Sequence, residues 1–181
     1  MPVSGAAFRF QPGPRMELLV TYMELLAPPA EQAALAMPPG DLQVEAERLP
    51  VEDYLALYRA IGGPFHWDQR LRMPRAALAA VLMAETTRTF VLREAGRPVG
   101  LCEFDRFQGE DVELVHFGLV PDVYGRRLGP FLLDWGLRTA WGPATRRIWL
   151  HTDTNDHPKA MATYERAGFK PYMQKMESFP D

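Results

Sequence analysis

The chain has 181 residues, a formal net charge of −3, 24% charged residues and one cysteine. That length suits one domain burying roughly 70% of its unfolded surface, and basic residues scattered along a nearly neutral chain exclude a nucleic-acid footprint and an anionic membrane surface as partners. A lone Cys102 excludes an internal disulfide, and no apolar run has the length of a membrane span, so a cytoplasmic protein, monomeric or homodimeric, acting on small molecules or peptides is expected.

The first fourteen residues carry three prolines and two glycines and are expected to be a poorly ordered lead-in to a domain spanning 15–181. Residues 16–26 are rich in strand formers. In DLQVEAER (41–48), apolar Leu42, Val44 and Ala46 alternate with Gln43, Glu45 and Glu47, which predicts a second strand. The stretch between, 27–40, is an Ala/Pro-rich excursion with two Pro-Pro pairs and room for a helical turn at EQAALAM. Pro50 opens a helix with Leu55, Tyr58 and Ile61 on one face and Gly62-Gly63 as its stop, and a second helix runs from Pro74 to about Ala84. Strands at 88–93 and 97–105, joined by a tight turn from Glu94 to Arg97, form a hairpin that pairs onto 112–120. An apolar helix follows, then the strand RRIWLHT (146–152), a helix in HPKAMATYERAGF with Asp156 placed as its N-cap and Pro158 in its first turn, and a last strand. This order predicts an α/β fold with a mixed, mostly antiparallel central sheet flanked by helices.

The segment VELVHFGLVPDVYGRRLGPFLLD (112–134) carries most of the functional signal. A strand runs through a short loop into an apolar helix. Gly125 and Gly129 allow close backbone approach to an anion, the helix N-terminus offers unpaired N–H groups and a positive dipole end, and Arg126 and Arg127 add fixed charge. A pyrophosphate-bearing cofactor is one reading; an ordinary turn with solvated arginines is the other. A nicotinamide site fits poorly, because the loop lacks G-x-G-x-x-G and RRIWLHT has no acidic residue for a ribose. Cys102, inside a strand, reads as a small buried apolar residue, and His116 as a sheet residue satisfied by its neighbours. The run His151, Asp153, Asp156, His157 has metal-ligand residue types, but its strand-loop-helix setting has a simpler account, so no metal is expected.

Residues 88–178 resemble the core of the GNAT superfamily, the acetyl-CoA dependent N-acetyltransferases. Its phosphate loop reads Gln/Arg-x-x-Gly-x-Gly/Ala, which falls here on Tyr124, Gly125, Arg126, Arg127, Leu128 and Gly129. Its later signature, Asn-x-x-Ala-x-x-x-Tyr with a following Gly-Phe pair, falls on His157, Ala160, Tyr164, Gly168 and Phe169. Tyr124, Arg127 and His157 depart from the pattern, while Tyr164 and Gly168-Phe169 match it. The resemblance implies a GNAT-type fold, acetyl-CoA as donor, and a coenzyme site at Leu119, Val120, Tyr124 to Pro130 and His157. It also implies a bulge in the strand before the loop, expected at Gly118, that frees backbone groups for the coenzyme.

The same resemblance implies the chemistry: direct attack of a primary amine on the thioester in a ternary complex. A lysine-like amine of pKa about 10.4 needs on the order of 4–5 kcal/mol to lose its proton at neutral pH, so a base is required. Glu113, on the strand feeding the loop, is the candidate base, with burial or a water relay needed to raise its proton affinity; pairing with a sheet arginine is its other reading. Tyr164 is the candidate donor to the leaving thiolate, and a core tyrosine is its alternative. Tyr54, Tyr58, His66 and Trp67 belong to the region that covers the acceptor in this fold, with packing as their other reading, and Glu103 and Asp105 would either give that pocket negative charge or be solvated. The motif departures keep open a catalytically inactive acyl-CoA-binding sensor or scaffold.

Overall fold

Seven segments join in one sheet, seen in a computed structural model that describes residues 15–180; the lead-in expected at 1–14 lies outside the described residues. In chain order the elements are β1 (Arg15–Leu25), β2 (Leu42–Ala46), α1 (Val51–Gly62), α2 (Arg75–Met83), β3 (Arg88–Glu94), β4 (Arg97–Asp105), β5 (Asp111–Leu119), α3 (Leu128–Ala140), β6 (Arg147–Asp153), α4 (Ala160–Arg166) and β7 (Lys170–Pro180). The predicted strands and helices are all present, and the excursion after β1 contains a single 3-10 turn at Glu31–Ala33.

The sheet order is β2-β3-β4-β5-β6-β1-β7, antiparallel at each junction except β5–β6. The first strand therefore lies between the last two, far from β2. The excursion makes that journey over α3, where the Arg138 guanidinium donates to the carbonyls of Pro29 (3.2 Å) and Ala30 (2.9 Å) and the Leu35 N–H donates to Asp134 (3.1 Å).

Opposite faces of β4 define the layers. Glu103 points to α1, where Tyr54 donates to it, while Cys102 and Phe104 lie against Gly136 of α3. Tyr54, Leu55, Tyr58 and Ile61 recur at helical spacing and are all buried, which fixes how α1 sits on the sheet. Each large side chain so buried stabilises by about 1.5–3 kcal/mol.

Two local expectations differ from the structure. The β4–β5 register shifts between Glu103 and Phe104, opposite His116 and Leu114, so the extra residue is Val115; Gly118 stays in register with Leu101. The glycine at 118 answers a different need, because an added Cβ there would run into Ile61 of α1. Helix α4 begins at Ala160, and its N-cap is Lys159 without a side-chain bond. Asp156 does not cap it, because its carboxylate accepts from the Thr152 hydroxyl (2.5 Å) and the Asp153 N–H (3.2 Å), closing the loop back onto β6.

Candidate active site

The parallel pairing of β5 with β6 covers only Asp111 to Glu113, opposite Arg147 to Trp149, and beyond it the strands part. A cleft of about 920 Å³ opens along the parting, lined by Leu114 to Leu119 of β5 and by Leu150, His151 and Asp153 of β6. Because β5 and β6 separate, the cleft reaches both faces of the sheet. Phe117, Tyr164 and the loop before α3 border one side; Tyr58, Trp67 and His116 border the other.

Most of the residues singled out from the sequence meet here. Leu119, Tyr124, Gly125, Arg127, Leu128, Gly129, Pro130, His157, Tyr58, His66, Trp67 and Tyr164 line the cleft. The loop has Gly125 at φ 79° with no atom within 4 Å of where a Cβ would stand. The α3 ladder starts with the Phe131 N–H donating to the Arg127 carbonyl, so the amides of Leu128 and Gly129 have no intrahelical acceptor. Open space over a glycine, helix N-terminal amides and the Arg127 side chain make a cradle that fits a diphosphate. His157 packs edge-on to Tyr124 (5.1 Å) and to Phe65 (5.7 Å), and its Nδ1 accepts from the Lys159 N–H (3.0 Å).

Other candidates lie outside the lining. Val120 is buried. Arg126 turns away to Glu94, with one guanidinium nitrogen 3.0 Å from its carboxylate. Glu113 is half-buried at the point where β5 and β6 part, opposite Asp105 and Trp149. Burial pushes its carboxyl up, with opposing contributions from His151 (lowering) and Asp105 (raising). Tyr54 and Glu103 are 0% exposed and stand behind the cleft wall rather than in it.

Tyr164 is 8% exposed, between Phe117 and Phe169, each with ring centroids 6.0 Å away. Burial pushes its phenol well up, so it stays protonated and keeps a proton to donate at working pH. Cys102 is fully buried, and burial raises its thiol too, which removes it as a nucleophile. Among the described residues no group of three or more His, Cys, Asp or Glu side chains is arranged to hold a metal ion.

Behind the side of the cleft bordered by Tyr58 and Trp67 sits a buried polar cluster that the sequence does not announce. Glu103 accepts from the Tyr54 hydroxyl on Oε2 and from Arg70 Nη2 on Oε1. Burial opposes its ionisation, but His116, Arg70 and Tyr54 together outweigh burial and hold the carboxyl down at about 2. Tyr58 is pushed up to about 12, chiefly by burial. His116 is not satisfied as expected: its Nδ1 is buried without a hydrogen-bond partner among the described residues, 3.7 Å from Glu103 Oε1. Arg70 escaped notice, and His116 carried no functional expectation, because a loop arginine and a strand histidine carry no spacing signal.

No curated relative matches the sequence. Among solved structures, similar folds include a functionally unknown conserved protein from Staphylococcus epidermidis (TM-score 0.67, 17% identity, 92% of this chain and 62% of that one). They also include a GCN5-related N-acetyltransferase from Sphaerobacter thermophilus (0.60, 18%, 89% and 50%) and a tandem GNAT protein from the clavulanic acid biosynthesis pathway (0.63, 17%, 88% and 52%). The chain thus spans between half and about two thirds of the length of these structures, and at such identities the likeness establishes the fold. A model of the acetyltransferase (GNAT) family matches residues 52–169, which takes in α1 and α2 as well as the segment where the motifs lie. A match over more than half of the sequence, on a fold that its solved relatives share, means that the chain belongs to the GNAT family of acetyltransferases.

Proposed function

We propose that the protein is an N-acetyltransferase that moves the acetyl group of acetyl-CoA to a primary amine on a small molecule or peptide, by direct attack in a ternary complex. The observation that carries this reading is the single cleft running through the sheet, with the α3 loop and Tyr164 toward one face and Tyr58 and Trp67 toward the other. Donor and acceptor can then approach from opposite faces and meet at the parting of β5 and β6.

Acetyl-CoA supplies an activated acyl group on a thiol leaving group. The amides of Leu128 and Gly129, with the Gly125 turn and the Arg127 side chain, hold its diphosphate. Backbone groups of β5 past Glu113, unpaired on the β6 side, take the pantetheine arm and polarise the thioester carbonyl. Tyr164 donates a hydrogen bond to the departing thiolate. A phenol of ordinary pKa near 10 already gives its proton to a thiolate of pKa near 8.5 at a cost of about 2 kcal/mol, and burial makes full transfer harder still. Glu113, with a carboxyl raised by burial, can accept a proton only through water, since it does not reach the cleft surface.

Calorimetry with acetyl-CoA and thiol release with a panel of amines test the proposal. Binding together with amine-dependent thiol release is the expected result. Binding without release from any amine would favour the sensor reading, and no binding would overturn both.

A further inference from the structure

We infer that His116, oriented by Glu103, is the catalytic base that takes the proton from the acceptor amine. This rests on the acetyltransferase reading above and assigns it a residue. His116 is 8% exposed yet lines the cleft, on the α1 face of β5, and the next residue, Phe117, touches Tyr164 from the other face. The ring therefore stands one residue from the group assigned to the leaving thiolate, on the side from which the acceptor arrives.

Its two nitrogens are assigned by their neighbours. Nδ1 faces Glu103 Oε1 at 3.7 Å, and Glu103, already accepting from Arg70 and Tyr54, is ionised and can only accept. Nε2 lies 3.4 Å from the Tyr58 hydroxyl, which can donate or accept and also receives the Arg70 N–H (3.5 Å). The carboxylate contact selects the tautomer with the proton on Nδ1 and the lone pair on Nε2, and the Tyr58 hydroxyl is compatible with it. The ring is held between Trp67 (5.3 Å) and Tyr58 (5.0 Å). The titratable and charged groups around it are Tyr54 and Tyr58 from α1, Asp68 and Arg70 from the segment after it, Glu103 from β4, and His151 and Asp153 across the cleft from β6. Arg70 is committed to Glu103, so the carboxylate stays charged and is available to a ring that becomes cationic.

The step balances within these groups. An N–H bond of the bound ammonium breaks, an Nε2–H bond forms, and the positive charge moves to the imidazole, where Nδ1–H closes on Glu103. The neutral amine then attacks, and Nε2 returns its proton to solvent through the open cleft. An ordinary imidazole near pKa 6.5 accepts from an amine with a smaller penalty than a carboxylate near 4.3, by roughly two powers of ten. Glu103 is a positioning residue in this scheme, since it touches only the ring.

Nitrogen-15 NMR of the histidine rings in the intact chain, assigned with His116→Gln, reads the tautomer whether or not turnover is found. An Nδ1–H, Nε2-unprotonated ring that titrates supports the inference; an Nε2–H tautomer, or a ring that stays cationic from about pH 6 to 9, overturns it. In turnover, His116→Gln should lower kcat/KM about 100-fold, remove the ascending limb of its pH profile and leave acetyl-CoA affinity within about twofold. Added imidazole should restore part of the activity of His116→Ala, a rescue that a packing role would not give. If His116→Gln keeps the limb, or if Glu113→Gln removes it while His116→Gln does not, the base is not His116.

Discussion

Tyr164 is nearly buried, ringed by Phe117 and Phe169, and raised in pKa, so its packing and its hydroxyl are separable. Tyr164→Phe keeps the ring contacts and deletes one donor. Turnover should fall about 100-fold while calorimetric affinity for acetyl-CoA stays put; unchanged turnover would reduce the residue to packing. Gly129 offers a similar separation. An added Cβ there meets only Leu119 Cδ1 at 3.6 Å and Phe117 Cζ at 3.9 Å, ordinary contacts for the protein itself. Gly129→Ala should therefore melt like the parent yet bind acetyl-CoA more weakly by about tenfold, since the methyl stands where the diphosphate would approach. Glu103 differs again, because its charge is structural. Its folded pKa of about 2 lies below the ordinary value near 4.3, so the stability it contributes is present above about pH 4.3 and is lost as pH falls toward 2. Glu103→Gln leaves the buried Arg70 without its counter-charge and should cost about 3–5 kcal/mol at neutral pH. A urea titration across that pH window should show a flatter acid limb for the variant than for the parent.

At the scale of elements, the contact between α1 and β5 sets the side of the cleft bordered by Tyr58, Trp67 and His116, where the acceptor is proposed to bind. Gly118 on β5 faces Ile61, and Gly62 on α1 faces the Trp67 ring, so two glycines let helix, sheet and indole approach closely. Gly118→Ala forces α1 outward; a loss of about 1–3 kcal/mol in chemical denaturation is expected, with KM for the amine rising more than KM for acetyl-CoA. Equal rises would place the strain elsewhere. Strand and helix positions were legible because alternation, prolines at helix starts and the Glu94–Arg97 turn act over a few residues. The glycine-containing loop before α3 was legible for the same reason. The bulge was not: Gly118 looks like a break in the strand, but the shift falls at Val115, where cross-strand packing of Glu103 against His116 and Phe104 against Leu114 decides the register. Nor was the buried cluster, which assembles Tyr54, Arg70, Glu103 and His116 from four separate stretches of chain. Arg127 falls between these cases. It occupies the motif's first glycine position and adopts φ 61°, a left-handed conformation that a side chain tolerates poorly, so the sequence departure marks local strain at the mouth of the loop.

For the whole molecule, the placing of β1 is the feature that local sequence could not predict. It sits between β6 and β7, antiparallel to both, and β7 ends the sheet with its ladder resting on β1 from Arg15–Pro180 to Glu24–Lys170. The same strand supplies Met16, Leu18 and Tyr22 to the cleft, and the Tyr22 hydroxyl donates to Glu177 of β7 (2.5 Å). Fold and site therefore depend on one strand that the chain delivers through a sixteen-residue connection, 26–41, lying over α3. Removing residues 1–25 leaves β7 without a strand to pair with and exposes one edge of β6, although the segment matched by the family begins only at residue 52. The shortened chain should lose its cooperative thermal transition and part of its strand signal in circular dichroism. Adding a synthetic peptide of residues 15–25 should restore both, because β1's ladders to β6 and β7 are backbone hydrogen bonds that need no covalent link to β2. A shortened chain that melts like the parent would mean that β6 and β7 hold their positions without β1.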